Sequence, residues 1–180
     1  MTKMVSLDFF FDISRGVRLK KANRIAGKLP LVTAGYLNEG IAQYISNSQK
    51  TFQQAITIDM FGQSFWRPYE FAADDNIVIL QKDFLTSDTA FFFLEAIKKT
   101  TGFFNYNHQY RLKDLKKHYI ELPLLNGEID WSKIKFISSV LGKITQLNAE
   151  LNAELNAELK NRAKQYEYYR DKLLAFKEKS

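Results

Sequence analysis

The sequence predicts an α+β protein, in which a mixed α/β domain over residues 1–131 precedes one long coiled-coil α-helix over residues 132–180. The first part contains short β-branched runs that are bounded by Gly and Pro, as is typical of strands between turns. The second part has no Pro, and its apolar residues recur every three or four positions, which indicates a helix. With 46% hydrophobic and 14% aromatic residues, the chain has enough apolar material to form a core.

Four segments of the first part are predicted to form strands. The segments 54–59 (QAITID) and 75–80 (DNIVIL) are short β-branched runs. The segment 27–35 (GKLPLVTAG) has Gly at each end and a Pro inside, which predicts a short strand between turns. The segment 118–131 (HYIELPLLNGEIDW) predicts a strand, then a Pro-bounded turn, then the beginning of another element.

The segment 86–100 (TSDTAFFFLEAIKKT) predicts the helix of the first part. Ser87 or Asp88 can cap its N-terminus, and apolar residues follow at helical spacing. Lys98 and Lys99 fall in its last turn, where the helix dipole favours cations.

The long helix is predicted to begin at a cap provided by Asp130 or Ser132. Its apolar positions first alternate in steps of three and four, from Ile134 onward, which is the spacing of a coiled-coil seam. Between residues 147 and 178 it would be about 48 Å long at 1.5 Å per residue, too long to bury its apolar face on a domain of this size. The seam therefore predicts pairing with another helix. The residues expected in it are Ile137, Leu141, Ile144, Leu147, Leu151, Leu155, Leu159, Tyr166 and Leu173.

Within this helix the tetrapeptide Leu-Asn-Ala-Glu occurs three times in succession, over residues 147–158, and Leu159 follows. Because four residues exceed one helical turn of 3.6, the apolar stripe drifts by about 40° per repeat. Each repeat adds about 6 Å of helix. The repeat therefore predicts a spacer that sets a distance between two features; the alternative is a duplication without consequence.

Composition argues against several other classes of protein. The chain has no Cys, and its two His, His108 and His118, have no cluster of other ligands around them, so no metal site is predicted. No catalytic residue, glycine-rich cofactor loop or P-loop is recognisable, so no cofactor is expected. The Glu-Leu-Lys triplet at 158–160 has no partner carboxylate for a nuclease site. No membrane span or signal peptide is visible, which predicts a cytoplasmic protein.

The net charge of +6 is concentrated in two stretches. Between Asp12 and Glu39 the chain has six basic residues and no acidic one. The second basic stretch is 110–119 (YRLKDLKKHY). Such a distribution is common on solvated faces, but it also suits a surface that faces phosphates.

The first basic stretch also carries side chains that can read bases. Asn and Gln can bind adenine in a bidentate manner, and Arg can bind guanine. Gly35 and Gly40 flank a predicted turn that would expose the residues between them. The residues expected to contact DNA are Arg15, Arg18, Lys20, Lys21, Asn23, Arg24, Thr33, Tyr36, Asn38, Gln43 and Arg67.

These segments resemble a target recognition domain from the DNA specificity subunit of Type I restriction–modification systems. The resemblance rests on residues 11–45 (FDISRGVRLKKANRIAGKLPLVTAGYLNEGIAQYI), 69–80 (YEFAADDNIVIL), 112–131 (LKDLKKHYIELPLLNGEIDW) and 168–176 (YYRDKLLAF), in that order. It implies a non-catalytic subunit that binds double-stranded DNA through two recognition domains, each followed by a helix, with the helices packed antiparallel. It also implies adenine-methyltransferase partner subunits, which carry S-adenosylmethionine, and a nuclease–translocase subunit.

The chain departs from this family pattern because it has one recognition domain and one helix. The resemblance therefore implies a half subunit that pairs as a homodimer through residues 132–178 and reads an interrupted palindrome. Two alternatives remain open at the level of the sequence. The chain could be the specificity chain of a related Type II-like enzyme, or a coiled-coil module that binds another protein.

Overall fold

The computed structural model describes residues 1–101 and 104–175, in which strands dominate the first part and one long helix dominates the second. The elements of this part of the chain, in order, are β1 (Thr2–Ser6), α1 (Leu7–Phe10), β2 (Asp12–Arg15), β3 (Ala26–Val32), β4 (Ile41–Ile45), β5 (Ala55–Ile58), β6 (Ser64–Arg67), β7 (Ala72–Ala73), β8 (Val78–Gln81), α2 (Ala90–Thr101), β9 (Tyr119–Leu125), β10 (Glu128–Ile129) and α3 (Trp131–Leu174). Single 3-10 segments lie at Lys21–Asn23, Leu37–Gly40 and Leu112–Lys117. The prediction of an α+β fold with a long final helix is confirmed.

The strands form three small sheets. The sheet orders are β1-β9-β10, β2-β8-β5-β6 and β4-β3-β7. Neighbouring strands are antiparallel except β3 and β7, which run parallel. The sequence-predicted strands at 27–35, 54–59 and 75–80 correspond to β3, β5 and β8. The last of these begins three residues later than the pattern suggested, at Val78.

The main core lies where the four-stranded sheet meets α2. Ile56, Leu80, Phe93 and Ile97 are fully buried there. A cluster of aromatic rings extends this core, and Trp131 joins it with its ring centroid 5.1 Å from that of Phe84. The first residue of α3 is therefore anchored in the core by aromatic packing.

The helix α2 begins later than predicted. Ser87 and Asp88 do not cap it, because they lie in a turn that is closed by a hydrogen bond from the Ala90 amide to the Thr86 carbonyl at 2.8 Å. The helix begins only at Ala90. Its last turn contains Lys98 and Lys99, as predicted.

The predicted position of the turn near Pro123 was also wrong. Pro123 lies inside β9, opposite Thr2 of β1, and its carbonyl accepts a hydrogen bond from the Asp130 amide at 2.9 Å. The turn falls at Asn126 and Gly127, whose φ angles are 52° and 89°. Consecutive positive φ angles at Asn-Gly are the usual way to join two hairpin strands.

The helix α3 has 44 residues and begins as predicted. Asp130 caps it, since its Oδ1 accepts a hydrogen bond from the Lys133 amide at 2.9 Å. The predicted continuation to residue 178 lies outside the described residues beyond 175. None of the helices in the described ranges combines the length and apolar character needed to cross a membrane.

The chain divides into two compact units, Met1–Ser139 and Val140–Ser180. Ile134 and Ser138 are buried within the first unit. Ile134 therefore belongs to the core of that unit rather than to an exposed seam. In the second unit the predicted seam residues are exposed, with exposed fractions of 49–75% for Ile144, Leu147, Leu151, Leu155, Leu159, Tyr166 and Leu173.

Candidate nucleic-acid interface

The two basic stretches of the sequence meet in one groove of about 520 Å³, here called the basic groove. Arg15 and Arg18 come from the first stretch, and Arg111 and Lys113 come from the second. Asp74 and Asp75 also line it. The position of Arg15 is restrained, because its Nε donates a hydrogen bond to the Asp75 carbonyl at 3.0 Å. A groove with four cationic and two anionic side chains favours an anionic ligand such as a phosphate chain.

Two polar atoms of the residues lining this groove are buried and have no hydrogen-bond partner within the described part of the chain. They are the Tyr110 hydroxyl and Oδ1 of Asn76. Burial raises the pKa of Tyr110, and the nearby Asp114 carboxylate adds to this rise. The hydroxyl therefore stays protonated and can act as a hydrogen-bond donor.

Beside the groove, residues 33–40 form an exposed loop, here called loop 33–40. The Thr33 amide closes it by donating to the Gly40 carbonyl at 2.8 Å. Asn38 and Glu39 have φ angles of 49° and 52°, a conformation that Asn adopts more readily than most residues. Tyr36 is 71% exposed at the tip of this loop. The sequence prediction that the two glycines flank an exposed turn is confirmed in geometry.

A buried carboxylate holds the first half of loop 33–40 in place. Asp59 is only 4% exposed, and its Oδ2 accepts a hydrogen bond from the Gly35 amide at 2.8 Å. Its Oδ1 accepts from the amides of Phe61 and Gln63 at 2.8 and 2.9 Å. One carboxylate thus joins loop 33–40 to the turn that follows β5, and charge-assisted bonds of this kind are stronger than neutral ones.

Arg67 holds the second half of the loop, and this corrects its predicted role. Its side chain is fully buried, not exposed to a base. Nε donates to Thr57 Oγ1 at 3.0 Å, one terminal nitrogen donates to the Tyr69 hydroxyl at 3.1 Å, and the other donates to the Glu39 carbonyl. Burial lowers the pKa of Arg67, although Tyr69 and Glu39 oppose this effect. The guanidinium is engaged inside the protein, so it offers no donor to DNA in this structure.

The remaining predicted DNA-contacting residues lie on the surface to different degrees. Arg15, Arg18, Lys20, Lys21, Asn23, Tyr36 and Asn38 are exposed, whereas Arg24, Thr33 and Gln43 are half-buried. Nε of Arg24 donates to the Leu19 carbonyl at 3.2 Å, which restrains this side chain. Nδ2 of Asn38 donates to the Ile41 carbonyl at 3.3 Å, so this amide is partly used within the loop.

Strand β7 brings the first basic stretch next to loop 33–40. The Val17 amide donates to the Ala73 carbonyl at 2.8 Å, and the Asp74 amide donates to the Val32 carbonyl at 2.9 Å. Residues 15–18 and the beginning of the loop therefore flank the same short strand. The chain itself also connects the basic groove to the loop. Met60 lines the groove, and the residue before it, Asp59, binds the Gly35 amide of the loop.

A sequence model of the Type I restriction modification DNA specificity domain matches residues 2–161 of the 180. The chain belongs to this family. The matched range includes the first unit of the specificity domain except Met1, and the three Leu-Asn-Ala-Glu repeats. The family predicted from the sequence is confirmed.

A curated relative of this specificity domain is also a specificity subunit. The specificity subunit S.BcgI of a Type II restriction enzyme from Heyndrickxia coagulans is 24% identical over 156 residues, which cover 80% of this chain and 46% of that protein. The chain therefore spans less than half the length of this relative.

Solved structures show the same fold. The Type I restriction-modification S subunit from M. genitalium superposes with a TM-score of 0.60 at 15% identity, over 99% of this chain and 46% of that chain. The HsdS subunit from Thermoanaerobacter tengcongensis superposes with a TM-score of 0.59 at 18% identity, over 84% and 39%. A chain from a structural study of type I R-M complex assembly and conformational transition superposes with a TM-score of 0.62 at 23% identity. The superposition covers 89% of this chain and 43% of that chain.

Several residues of the specificity domain's candidate interface were missed at the sequence level. Asp59 was not singled out, since a lone Asp after a strand gives no sign that it bonds an amide 24 positions away as well as two nearby ones. Tyr106 is 78% exposed in the segment 104–109 (FNYNHQ). The density of amides in this segment is a signal that could have drawn attention to it, because the segment precedes the second basic stretch directly. In the described ranges, no three His, Asp or Glu side chains are grouped to hold a metal ion.

Proposed function

We propose that this specificity domain binds double-stranded DNA and reads one half of a bipartite site, and that a second copy reads the other half. One observation carries the proposal: both basic stretches line a single groove that adjoins an exposed loop with a restrained backbone. Such an arrangement separates the two tasks of a sequence-specific DNA-binding protein. Phosphate contacts position the protein, and base contacts specify the site.

The positioning task belongs to the basic residues. Arg15, Arg18, Arg111 and Lys113 of the groove, together with exposed Lys20 and Lys21, provide cations for the phosphate backbone. Each phosphate that they neutralise releases counterions, so binding weakens as the salt concentration rises.

The reading task belongs to loop 33–40 and its neighbours. Tyr36 and Asn38 present an aromatic ring and an amide at the loop surface. Thr33 and Gln43 add hydrogen-bonding groups at the same end of the β3–β4 hairpin. Asn23 and Arg24 lie at its other end, beside Asn47 and Leu19, and offer an amide and a cation there. A good bidentate contact between an amide and a base discriminates by about 1–3 kcal/mol.

The second unit supports a homodimer. Leu147, Leu151, Leu155 and Leu159 are 51–63% exposed, and a repeated row of exposed leucines is costly in water. Pairing with the same row of a second copy, in the antiparallel sense, would bury them. Because a homodimer has two-fold symmetry, its DNA site would be an interrupted palindrome.

Catalysis in the proposed complex belongs to other subunits. An adenine-methyltransferase subunit would bring S-adenosylmethionine, and a nuclease–translocase subunit would join for restriction. The likeness to a Type II specificity subunit favours a second candidate, in which one partner chain combines methylation and cleavage. The partner that co-purifies with this chain distinguishes the two, since the first requires separate subunits and the second a fused one.

Mapping of modified adenines tests the proposal. DNA exposed to the chain and its methyltransferase should carry methyl groups at two half-sites of one sequence, related by a two-fold axis and separated by a fixed number of base pairs. Modification without sequence preference contradicts a reading role. Two unrelated half-sites contradict the homodimer, since one domain sequence can read only one half-site.

Insertion of one further Leu-Asn-Ala-Glu unit after Glu158 tests the spacer. Each repeat adds about 6 Å of helix, and DNA rises about 3.4 Å per base pair, so the half-sites should move apart by at most about two base pairs. The half-site sequence should stay the same, because residues 1–131 are untouched. A variant with Asn152→Gln keeps the length and serves as the control. A functional insertion variant with an unchanged spacer contradicts the spacer role.

A further inference from the structure

Residues 104–109 form a second exposed turn next to the candidate interface. Oδ1 of Asn105 accepts hydrogen bonds from the amides of Asn107 and His108 at 2.9 and 3.0 Å. The Asn105 amide donates to the His108 carbonyl at 3.0 Å. The ring of Phe104 stacks on His108, with centroids 5.2 Å apart and planes 12° apart. Asn105, Phe104 and His108 thus close the turn, and these bonds use neither the ring of Tyr106 nor the side chain of Asn107.

Tyr106 connects this turn to loop 33–40. Its ring is 78% exposed and packs on one side against Phe61, with centroids 5.2 Å apart. The Phe61 amide is bound by Oδ1 of Asp59, whose Oδ2 binds the Gly35 amide of the loop. Tyr36 therefore stands on a loop that Asp59 holds, and Tyr106 packs against Phe61, whose amide the same carboxylate binds.

The other end of the turn leads into the basic groove. Gln109, Tyr110 and Arg111 all line the groove, and Nη2 of Arg111 donates to Oε1 of Gln109 at 2.6 Å. The Tyr110 amide also donates to the Met60 carbonyl at 2.8 Å, which fixes the turn to the segment after Asp59. The turn is therefore connected to loop 33–40 through Phe61 and Asp59, and to the cationic side chains of the groove through Gln109 and Arg111.

We propose that residues 105–109 are a second element that reads DNA bases, with Tyr106 and Asn107 as its specificity-determining residues. This inference rests on the proposed DNA-binding function and names a second part of the same interface. An exposed aromatic ring gains free energy when a base edge, a sugar or a thymine methyl group covers it, and an exposed amide suits adenine. The cations of the groove hold the phosphates beside them.

Binding of the complete complex to DNA tests this element. The wild-type chain with its methyltransferase is measured first on its mapped site and on random DNA of equal length. Tyr106→Ala and Asn107→Ala follow on the same two DNAs. Phe9→Ala is the matched control, since Phe9 is an aromatic residue that is 86% exposed on α1. Trp fluorescence during thermal unfolding verifies that every variant is folded.

We expect Tyr106→Ala to weaken binding to the mapped site by about 5- to 150-fold, the range for loss of a specific base contact. Binding to random DNA should change less than about twofold, since that binding comes from phosphate contacts. Tyr106→Phe should retain most of the preference, because it keeps the ring. Phe9→Ala should leave the ratio of the two affinities unchanged.

Two results overturn the inference. In one, Tyr106→Ala and Asn107→Ala both leave the ratio of affinities at its wild-type value. In the other, they weaken binding to both DNAs equally, which would make the turn a phosphate contact only. A wild-type chain that does not distinguish its mapped site from random DNA is a different failure, because it contradicts the proposed function itself.

Discussion

Loop 33–40 in the first unit and the leucine row of α3 in the second unit are both exposed. Among residues 1–101 and 104–175, only the loop is held by contacts of its own chain. Asp59 and Arg67, whose side chains are buried, hold its two halves through hydrogen bonds to the Gly35 amide and the Glu39 carbonyl. The leucines of α3 have no such support, since Leu147, Leu151, Leu155 and Leu159 all lie on a face that is at least half exposed. The exposed side chains of these two regions therefore indicate different kinds of interaction. A restrained exposed loop is ready for a ligand, whereas an exposed leucine row needs a partner to be buried.

The largest expected effect is on the leucine row. Leu151→Lys together with Leu155→Lys places four charges in a proposed dimer interface. Burial of each leucine is worth about 1.5–3 kcal/mol, so the dissociation constant should rise by at least about 1000-fold. Light scattering should give about twice the 21.0 kDa monomer mass for the wild type and the monomer mass for the variant.

Asn148→Lys with Asn156→Lys is the control for this substitution, because it adds the same charges one position away from the leucine row. That variant should remain a dimer. A wild-type chain that stays monomeric at high concentration, in the presence of its methyltransferase, contradicts the pairing of the leucine rows.

The next effect concerns the support of loop 33–40. Arg67→Ala removes the donor from the buried Thr57 hydroxyl, the half-buried Tyr69 hydroxyl and the Glu39 carbonyl. We expect the free energy of unfolding of the first unit to fall by about 2–4 kcal/mol. Urea unfolding followed by Trp fluorescence measures it, because both Trp of the chain, Trp66 and Trp131, lie in this unit.

Arg18→Ala is the control for this experiment, because Arg18 is exposed in the basic groove. Its loss should change the free energy of unfolding by no more than about 0.5 kcal/mol. Equal effects of the two substitutions would show that Arg67 does not support the loop.

A smaller effect on DNA binding distinguishes residues that contact phosphates from residues that contact bases in the first unit. Lys20→Ala or Lys21→Ala should weaken binding to all DNA sequences alike and reduce the salt slope by about 1. Asn38→Gly removes the amide but permits the positive φ angle at this position, so the loop backbone is preserved. The variant should lose about 1–3 kcal/mol of binding free energy on the mapped site, with no such loss on random DNA.

Fluorescence anisotropy of labelled duplexes at several salt concentrations measures both changes. Identical losses for Lys20→Ala and Asn38→Gly on mapped and random DNA would contradict the division into positioning and reading residues.

The smallest effect is a pH dependence that is confined to the first unit. Burial lowers the pKa of His118, although Asp114 and a hydrogen bond to the Thr100 backbone oppose the shift and Lys117 adds to it. The folded chain therefore binds a proton less readily than the unfolded chain. Stability should fall as the pH drops below the ordinary His pKa of about 6.5, and the loss should end below the lowered pKa.

Comparison of urea unfolding at pH 7.5 and pH 5 for the wild type and His118→Gln isolates this contribution. The variant should lose less stability between the two pH values than the wild type does. His108→Gln is the control, since it removes the other His of the chain from the exposed turn. An equal pH response of wild type and His118→Gln would show that His118 does not contribute.

Local patterns were sufficient to predict the elements of the fold that depend on neighbouring residues. The strand β3 and the Asp130 cap of α3 were predicted because their signals lie within a few positions, although Gly27 lies inside the strand and not in a turn before it. The turn after β9 was misplaced because Pro123 was taken as a breaker, whereas Asn126 and Gly127 provide the positive φ angles that the hairpin needs.

The candidate site was predicted only in part, since its geometry depends on distant residues. The exposed loop followed from Gly35 and Gly40, but the inward direction of Arg67 depends on Thr57, Tyr69 and Glu39, which lie elsewhere in the sequence. The ring of Tyr106 stands beside Phe61 across 45 positions of the chain, and no periodicity predicts such a pair. The homodimer stays a prediction.

The two anchors of loop 33–40 have one further consequence, for how such a protein can acquire new preferences. Asp59 binds the Gly35 amide and Arg67 binds the Glu39 carbonyl, so both anchors hold main-chain atoms rather than side chains. The side chains of Tyr36 and Leu37, which are 71% and 74% exposed, can therefore be exchanged without loss of either anchor. Natural variation at these two positions can alter what the surface selects at almost no cost in folding, and each new side chain is displayed on an unchanged backbone.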